Sequence, residues 1–386
     1  MALPLSYNLR NLRQRPGATV MTALGIALTV TTALFIMMLL VGLRQAFLST
    51  GDPLNLLVMR KGAEAELSSV VTRGEALRLQ NLAGVATDAS GQPLASGEIA
   101  LAIVLPRADG SGEVNVSVRG LSAAGREMRP NVQLVAGRWF RSGQREVAVS
   151  TAVARRFAHA GLGDQLVFGK NAWRVVGVFD AAGTAYTSEI WANVDQVAAD
   201  FDRPMYSVEL LRARDLAARE RLVRRVSDDQ SLALEARPEP DYYATQTRSG
   251  IGIEIVGTLV AIIMAVGASF AAMNTMYAAV AQRGREIATL RILGFSRASI
   301  LASFVFESVL LSLAGGVVGI LLMLPFMGVS TGTFNPLTFS EMVFKMELTP
   351  ALVAGALLFA VVMGALGGAA PAWQAARQEI LAGLRD

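Results

Sequence analysis

Cysteine is absent from the 386 residues, and His159 is the only histidine. No disulfide and no Cys-ligated metal site can form, and one histidine cannot assemble a His-based zinc site. A Ser-His-Asp arrangement would have to use His159, which lies in "ARRFAHAGLGD", a stretch that reads as the end of a surface helix. No metal site, no catalytic residue and no cofactor on this chain are expected. Charge is also scarce, at 17% Asp, Glu, Lys and Arg, against about 25% in an ordinary soluble chain.

The deficit is concentrated. No charged residue occurs from Pro16 to Leu43, from Ile255 to Gln282, from Ser308 to Ser340, or from Leu348 to Gln374. Each run exceeds the roughly 20 residues that cross a hydrocarbon core about 30 Å thick. Four membrane-spanning helices are expected, at 18–43, 249–280, 299–327 and 349–372. The first run is too long for the 7–15-residue core of a cleavable signal and should stay as an anchor.

Arginine sets the orientation. The N-terminal segment 1–17 carries Arg10, Arg13 and Arg15 and no acid, the tail 373–386 carries Arg377 and Arg385, and segment 281–298 holds four arginines and one glutamate. Between the third and fourth spans, 328–348 has only Lys345 against Glu341 and Glu347. The positive-inside rule then places both termini and 281–298 in the cytoplasm, and 44–248 with the short 328–348 loop outside it. Much of the formal charge of +4 is topology signal, so no nucleic-acid partner is called for; the lipid bilayer is the expected surroundings.

The 44–248 insertion reads differently. "EVNVSVRG" alternates, with Val114, Val116 and Val118 on one face, and "DQLVFGKNAWRVVGVF" reads as two strands joined at Gly169-Lys170-Asn171. "LNLLVMR" and "MYSVELL" are further strands; "RGEALRLQNL", "TAVARRFAHA" with Ser150 or Thr151 as N-cap, and "RDLAARERLVRRV" read as helices. The expected fold class is an α-helical membrane protein with four transmembrane helices plus an α+β extracytoplasmic (periplasmic) domain of two lobes inserted between the first and second spans. One lobe is assigned to 44–120 with 203–248, the other to 121–202. Residues 237–250 could form a helix that runs straight on into the second span.

Within the spans, Glu307 is an ionisable group at a place where such groups are costly; it serves either as a structural partner of another helix or in gating. Gly315 with Gly319, and Gly364 with Gly368, form G-x-x-x-G spacings that let backbones approach, within the bundle or between two copies. Segment 283–297, "RGREIATLRILGFSR", has good helix formers, Gly294 as a stop and Ile287, Leu290 and Leu293 on one stripe. Such a helix suits either the membrane surface or a groove on a partner protein.

The block "MNTMYAAVAQRGREIATLRILGFSRASILASFVFESVLLSLAGGVVG" closely resembles the permease core of the MacB/FtsX/LolC family of ABC transporters. In that family a span ends in M-N-x-M and is followed by (E/Q)-R-x-x-E-I-(A/G)-x-L-R-x-(I/L)-G; here the matches are Met273, Asn274, Met276, Gln282, Arg283, Glu286, Ile287, Leu290, Arg291 and Gly294. The ending "PAWQAARQEILAGLR" and, more loosely, the insertion resemble the same family. The resemblance implies that 281–298 is a coupling helix seated in an ATPase subunit, with Arg283, Arg285, Glu286, Ile287, Leu290, Arg291, Gly294 and Phe295 at or near the contact; Arg283, Arg285 and Arg297 could instead hold lipid phosphate. It also implies a mechanotransmission permease of the inner membrane that works as a dimer, most simply a homodimer, with ATP and Mg bound by the ATPase. A periplasmic adaptor and an outer-membrane channel would be natural further partners. MacB carries its ATPase in the same polypeptide; this sequence contains no G-x-x-x-x-G-K-(S/T) phosphate cradle, so the ATPase is expected on a second chain. Export or extraction of a substrate is the leading expectation. The alternative is an FtsX-like transmitter that regulates an extracytoplasmic partner without transport. For a lipoprotein extractor of the LolC kind, 84–112, rich in Ala, Gly and Ser, is the stretch that could form a carrier-binding loop.

Overall fold

The structure, a computed structural model, describes residues 16–247 and 251–377. The chain runs through α1 (Pro16–Leu48), β1 (Asn55–Arg60), α2 (Arg73–Gln80), β2 (Ala95–Pro106), β3 (Glu113–Leu121), α3 (Ala123–Glu127), β4 (Gln133–Gly137) and β5 (Glu146–Ser150). It continues through α4 (Thr151–Arg156), β6 (Gln165–Phe168), β7 (Asn171–Asp180), β8 (Glu189–Asn193), α5 (Val194–Asp200), β9 (Val208–Arg212), α6 (Leu216–Asp228), β10 (Leu234–Pro238) and α7 (Glu239–Gln246). The last elements are α8 (Ile251–Gln282), α9 (Gly284–Ile292), α10 (Arg297–Met323), β11 (Ser330–Asn335), β12 (Ser340–Lys345) and α11 (Pro350–Arg377). Among the described residues, α1, α8, α10 and α11 are long and apolar enough to cross a membrane. Among the described residues two compact units result: a helical unit drawn from Met1–Val41, Gly252–Gly328 and Met346–Asp386, and a second drawn from Gly42–Ile251 and Val329–Lys345.

In the helical unit, the absence of side chains at glycine sets the packing. A Cβ on Gly315 would lie 2.7 Å from the Ala23 carbonyl oxygen and one on Gly319 2.8 Å from that of Ala27, so this pair seats α10 on α1. A Cβ on Gly364 would meet Ser312 Oγ at 2.6 Å and one on Gly368 would meet Ser308 Cβ at 2.6 Å, so the second pair seats α11 on α10. Both G-x-x-x-G pairs are thus consumed inside one chain. At the α10–α11 contact the Ser308 hydroxyl donates to the Gly364 carbonyl at 2.8 Å. Thr22 Oγ1 donates to Thr275 Oγ1 at 2.9 Å between α1 and α8.

The inserted domain is one mixed sheet in the order β10-β1-β9-β2-β3-β8-β5-β7-β4, with β6 paired to β7. The β6–β7 hairpin turns at Gly169-Lys170, where Gly169 takes φ +64° as such a turn requires. Local signals fix the helices. Thr72 and Glu75 form a reciprocal capping box on α2. Ser150 Oγ accepts from the Val153 amide at the start of α4, and Asp215 caps α6.

Two apolar clusters lie along the sheet. One gathers Leu56, Val58, Leu79, Leu211, Leu222 and Leu234. The other gathers Ile99, Leu105, Val116, Val149, Trp173 and Ile190. The division therefore falls inside β2 rather than at residue 121: the start of β2 pairs with β9, while its remainder and β3 join the strands of 146–193. A single long strand carries both lobes because its two ends have different neighbours, which residue order does not reveal. Stretch 84–112 likewise is not a free loop, since β2 lies within it.

The 328–348 loop is replaced by an antiparallel hairpin, β11–β12, that belongs to the compact unit of the inserted domain. Met342, Val343 and Phe344 are buried. The Val343 amide donates to Ser188 Oγ at 2.7 Å, Arg107 pairs with Glu341 at 3.0 Å, and Arg156 also reaches Glu341. α7 covers the start of 237–250; any continuity into α8 lies outside the described residues.

Candidate functional site

The basic segment between α8 and α10 is a corner built of one short helix with a defined break at each end. α8 ends at Gln282, Arg283 leaves helical geometry, and α9 begins at Gly284. At the other end the Gly294 amide donates to the Arg291 carbonyl at 3.2 Å and the Phe295 amide to the Leu290 carbonyl at 3.1 Å. This is a Schellman stop, and Gly294 supplies the φ of +90° it needs. Ser296 then caps α10 through the Ser299 amide at 3.1 Å.

α9 divides its side chains sharply. Ile287 and Ala288 are buried. Ile287 packs among Met276 and Val280 of α8, Ile300 and Phe304 of α10, and Ala372 and Ala375 of α11. Arg285, Glu286, Thr289 and Arg297 are exposed, and so are Ile292, at 59%, and Leu293, at 67%. Leu290, Arg291 and Phe295 are half-buried. The Arg291 guanidinium turns back along its own corner, with Nη1 3.5 Å from the Phe295 carbonyl.

Arg283 and Ile287, which the family resemblance places at or near a partner contact, are buried in the bundle. Arg283 donates from Nη1 to Glu307 Oε2 at 2.8 Å and from Nη2 to Oε1 at 3.1 Å. Its guanidinium also lies 5.9 Å from the Phe304 ring centroid. A guanidinium in apolar surroundings requires a carboxylate, and Glu307 is that partner. The stripe of Ile287, Leu290 and Leu293 is split: Ile287 is buried while Leu293 is exposed, and Ile292, which the stripe omits, is exposed beside it.

A second constellation, in the inserted domain, has no counterpart among the motifs. Arg119 on β3 is held by three carboxylates: Glu66 at 2.6 Å, Glu98 at 2.9 Å and Glu189 at 2.8 Å. Arg129 takes the other side of Glu98 at 2.6 and 2.9 Å. Glu239 accepts from the Tyr186 hydroxyl at 2.6 Å and from Asn55 Nδ2 at 2.9 Å; Trp191 Nε1 donates to Glu189 at 2.7 Å. All these charged groups are buried. Burial pushes the Glu66 carboxyl above its ordinary range, more than Arg119 lowers it. For Glu98 burial pushes the same way, but Arg129 and Arg119 together hold the carboxyl low. The available signal was charge inside apolar strands: Glu98 in "GEIALAIVLP" and Arg119 in "VSVRGL". The adjoining cavity, about 50 Å³, has room for only a few water molecules and none for a sizeable substrate.

His159 sits at φ +55° after α4, and among the described residues no cluster of His, Asp and Glu could hold a metal. "GVSTG" at 328–332 fits the nucleophile-elbow string, but Ser330 opens strand β11 instead of a strand-to-helix turn.

A MacB-like periplasmic core domain matches residues 19–229, more than half of the chain, and an FtsX-like permease C-terminal domain matches residues 258–380. The chain belongs to the MacB/FtsX-like family of ABC transporter permeases. Relatives of this permease include the macrolide export ATP-binding/permease protein MacB of Sodalis glossinidius, 29% identical over 69% of this chain and 42% of that protein. The MacB of Nitrobacter winogradskyi is 41% identical over 32% of this chain and 18% of its own. The uncharacterised ABC transporter permease YknZ of Bacillus subtilis is 33% identical over 34% and 31%. The permease thus spans less than half the length of the curated relatives it matches. Among solved structures, the extracellular domain of YknZ from Gram-positive bacteria aligns over 47% of this chain and 99% of that one, with 14% identity and a TM-score of 0.36.

Proposed function

We propose that this permease is the membrane subunit of an ABC transporter in which α9 docks into a separate ATPase and passes its motion to an inserted domain outside the cytoplasm, driving export or extraction of a substrate. The observation that carries this reading is the two-sided character of α9. Ile287 and Ala288 lock it into the bundle, while Ile292, Leu293, Arg285, Glu286 and Thr289 face outward. Two large apolar side chains beside charge form a small anchor with a polar rim, the composition of a protein contact. Lipid phosphate would favour basic residues alone.

In this arrangement the two termini and α9 lie in the cytoplasm, and the chain works as a dimer in the inner membrane with ATP and Mg on the ATPase. The names of the MacB relatives join ATP binding to permease in one protein; in this reading the ATPase docks on α9 as a subunit of its own.

The test is purification of the tagged permease from native membranes in mild detergent, followed by assay of bound ATP hydrolysis. Hydrolysis should co-purify with wild type and fall at least tenfold in Ile292→Glu/Leu293→Glu, whose side chains the bundle does not use. Equal hydrolysis with the variant overturns the docking face, and none with wild type overturns the reading as a whole.

A further inference from the structure

The Arg283–Glu307 pair has a position that neither docking nor membrane insertion requires. Arg283 is the corner residue between α8 and α9: its amide donates to the Val280 carbonyl at 3.1 Å, and its carbonyl accepts from the Ile287 amide at 2.9 Å. Glu307 lies ten residues into α10 from Arg297, about 15 Å along the axis at 1.5 Å per residue. The pair therefore closes a loop of chain. α9 is tied to α10 at its C-terminal end by the Gly294 stop and the Ser296 cap, and at its N-terminal end by the two-pronged bond to Glu307. Both side chains are buried, and the Phe304 ring lies 5.9 Å from the Arg283 guanidinium.

A buried ion pair gains little stability over apolar residues of similar size. What a guanidinium–carboxylate fork supplies is a fixed direction and distance, whereas apolar side chains slide past one another and repack. Without the fork, the N-terminal end of α9 is held only by the apolar packing of Ile287 and Ala288, which can slide, and part of a push on Ile292 and Leu293 would be absorbed at the Gly294 corner.

We propose that Arg283 and Glu307 are positioning residues that brace α9 against α10, so that the two helices move as one lever. The proposal rests on α9 being the ATPase contact, and it adds what makes that contact effective: loss of the brace leaves docking intact but uncouples it from the bundle.

The cysteine-free sequence allows a direct test. Spin labels at Thr289→Cys on α9 and Leu321→Cys on α10, both exposed, report the α9–α10 distance in full-length permease in lipid nanodiscs, diluted with unlabelled chains. The parent should give one narrow distance distribution. Arg283→Met/Glu307→Leu leaves no orphaned charge and should keep the folded tryptophan emission; its distribution should widen at least twofold. The native complex should retain its bound ATP hydrolysis within about twofold, because docking is left intact. The charge-reversed pair Arg283→Glu/Glu307→Arg should narrow the distribution again. If the apolar pair does not fold, Glu307→Gln, which keeps the shape, should give an intermediate width. An unchanged width in either variant overturns the brace. Ile292→Glu/Leu293→Glu separates the two ideas. ATPase lost there with an unwidened apolar pair sinks the brace alone; ATPase retained there with a widened apolar pair sinks the docking reading and leaves the brace standing.

Discussion

Glu209 offers a quantitative test of the inserted domain. It lies on β9, between β1 and β2, and is fully buried. Gln80 Nε2 donates to Oε1 at 3.0 Å, while Oε2 has no hydrogen-bond partner. Burial pushes the carboxyl up to about 8 from its ordinary 4.5, Glu98 adds to the rise, and Gln80 opposes it. The folded domain therefore binds a proton that the unfolded chain releases above about pH 4.5. Between that pH and 8 the native state holds more protons, so stability falls as pH rises and levels off above about 8. At about 1.4 kcal/mol per pH unit the full effect is on the order of 5 kcal/mol. Glu209→Gln imitates the protonated side chain and cannot ionise. Its thermal midpoint should match wild type near pH 4.5, exceed it increasingly up to about pH 8, and stay above it by a steady margin to pH 9. At roughly 2–4 °C per kcal/mol for a domain of this size, the gap there should be on the order of 10 °C. Emission from the fully buried Trp173 and Trp191 in nanodisc-held protein reads the transition. A gap constant across this range, or a less stable variant at pH 9, would refute the reasoning.

Arg119→Met should lower stability by about 3–5 kcal/mol at pH 8 in the same thermal assay, because buried Glu66 and Glu189 lose their cation and Glu98 keeps only Arg129. The loss should shrink as pH falls and Glu66, already raised by burial, takes up a proton. Gly319→Leu should cost more than about 2 kcal/mol of bundle stability in detergent unfolding, since even its Cβ meets the Ala27 carbonyl oxygen at 2.8 Å. Gly267→Ala, with nothing within 4 Å of the added carbon, should be neutral or stabilise by about 0.5–1 kcal/mol. Glu341→Ala should release the β11–β12 hairpin from Arg107 and Arg156, seen as roughly tenfold faster hydrogen exchange across 330–345 at about 1.4 kcal/mol.

Local chemistry determined much of this permease before any contact was known. Charge-free runs set α1, α8, α10 and α11, because a span is specified by length and composition along the chain. Alternation set β3, the Gly169 turn set the β6–β7 hairpin, and Ser150 and Gly294 marked helix ends, one with its side chain and the other with its freedom of φ. The family motif pointed to 281–298. Tertiary structure alone decided which faces those elements turn inward. Arg283 belongs to a motif of surface residues until Glu307, 24 residues away, is seen to meet it. Glu98, Arg119 and Glu189 are isolated charges in apolar strands until strand order puts them together. The 328–348 segment holds too little periodicity to announce a hairpin, and its burial depends on Ser188 and Arg156, more than 150 residues upstream. Pairing partners distant in sequence leave no local trace, and for buried charges the partner decides whether the group can exist there at all.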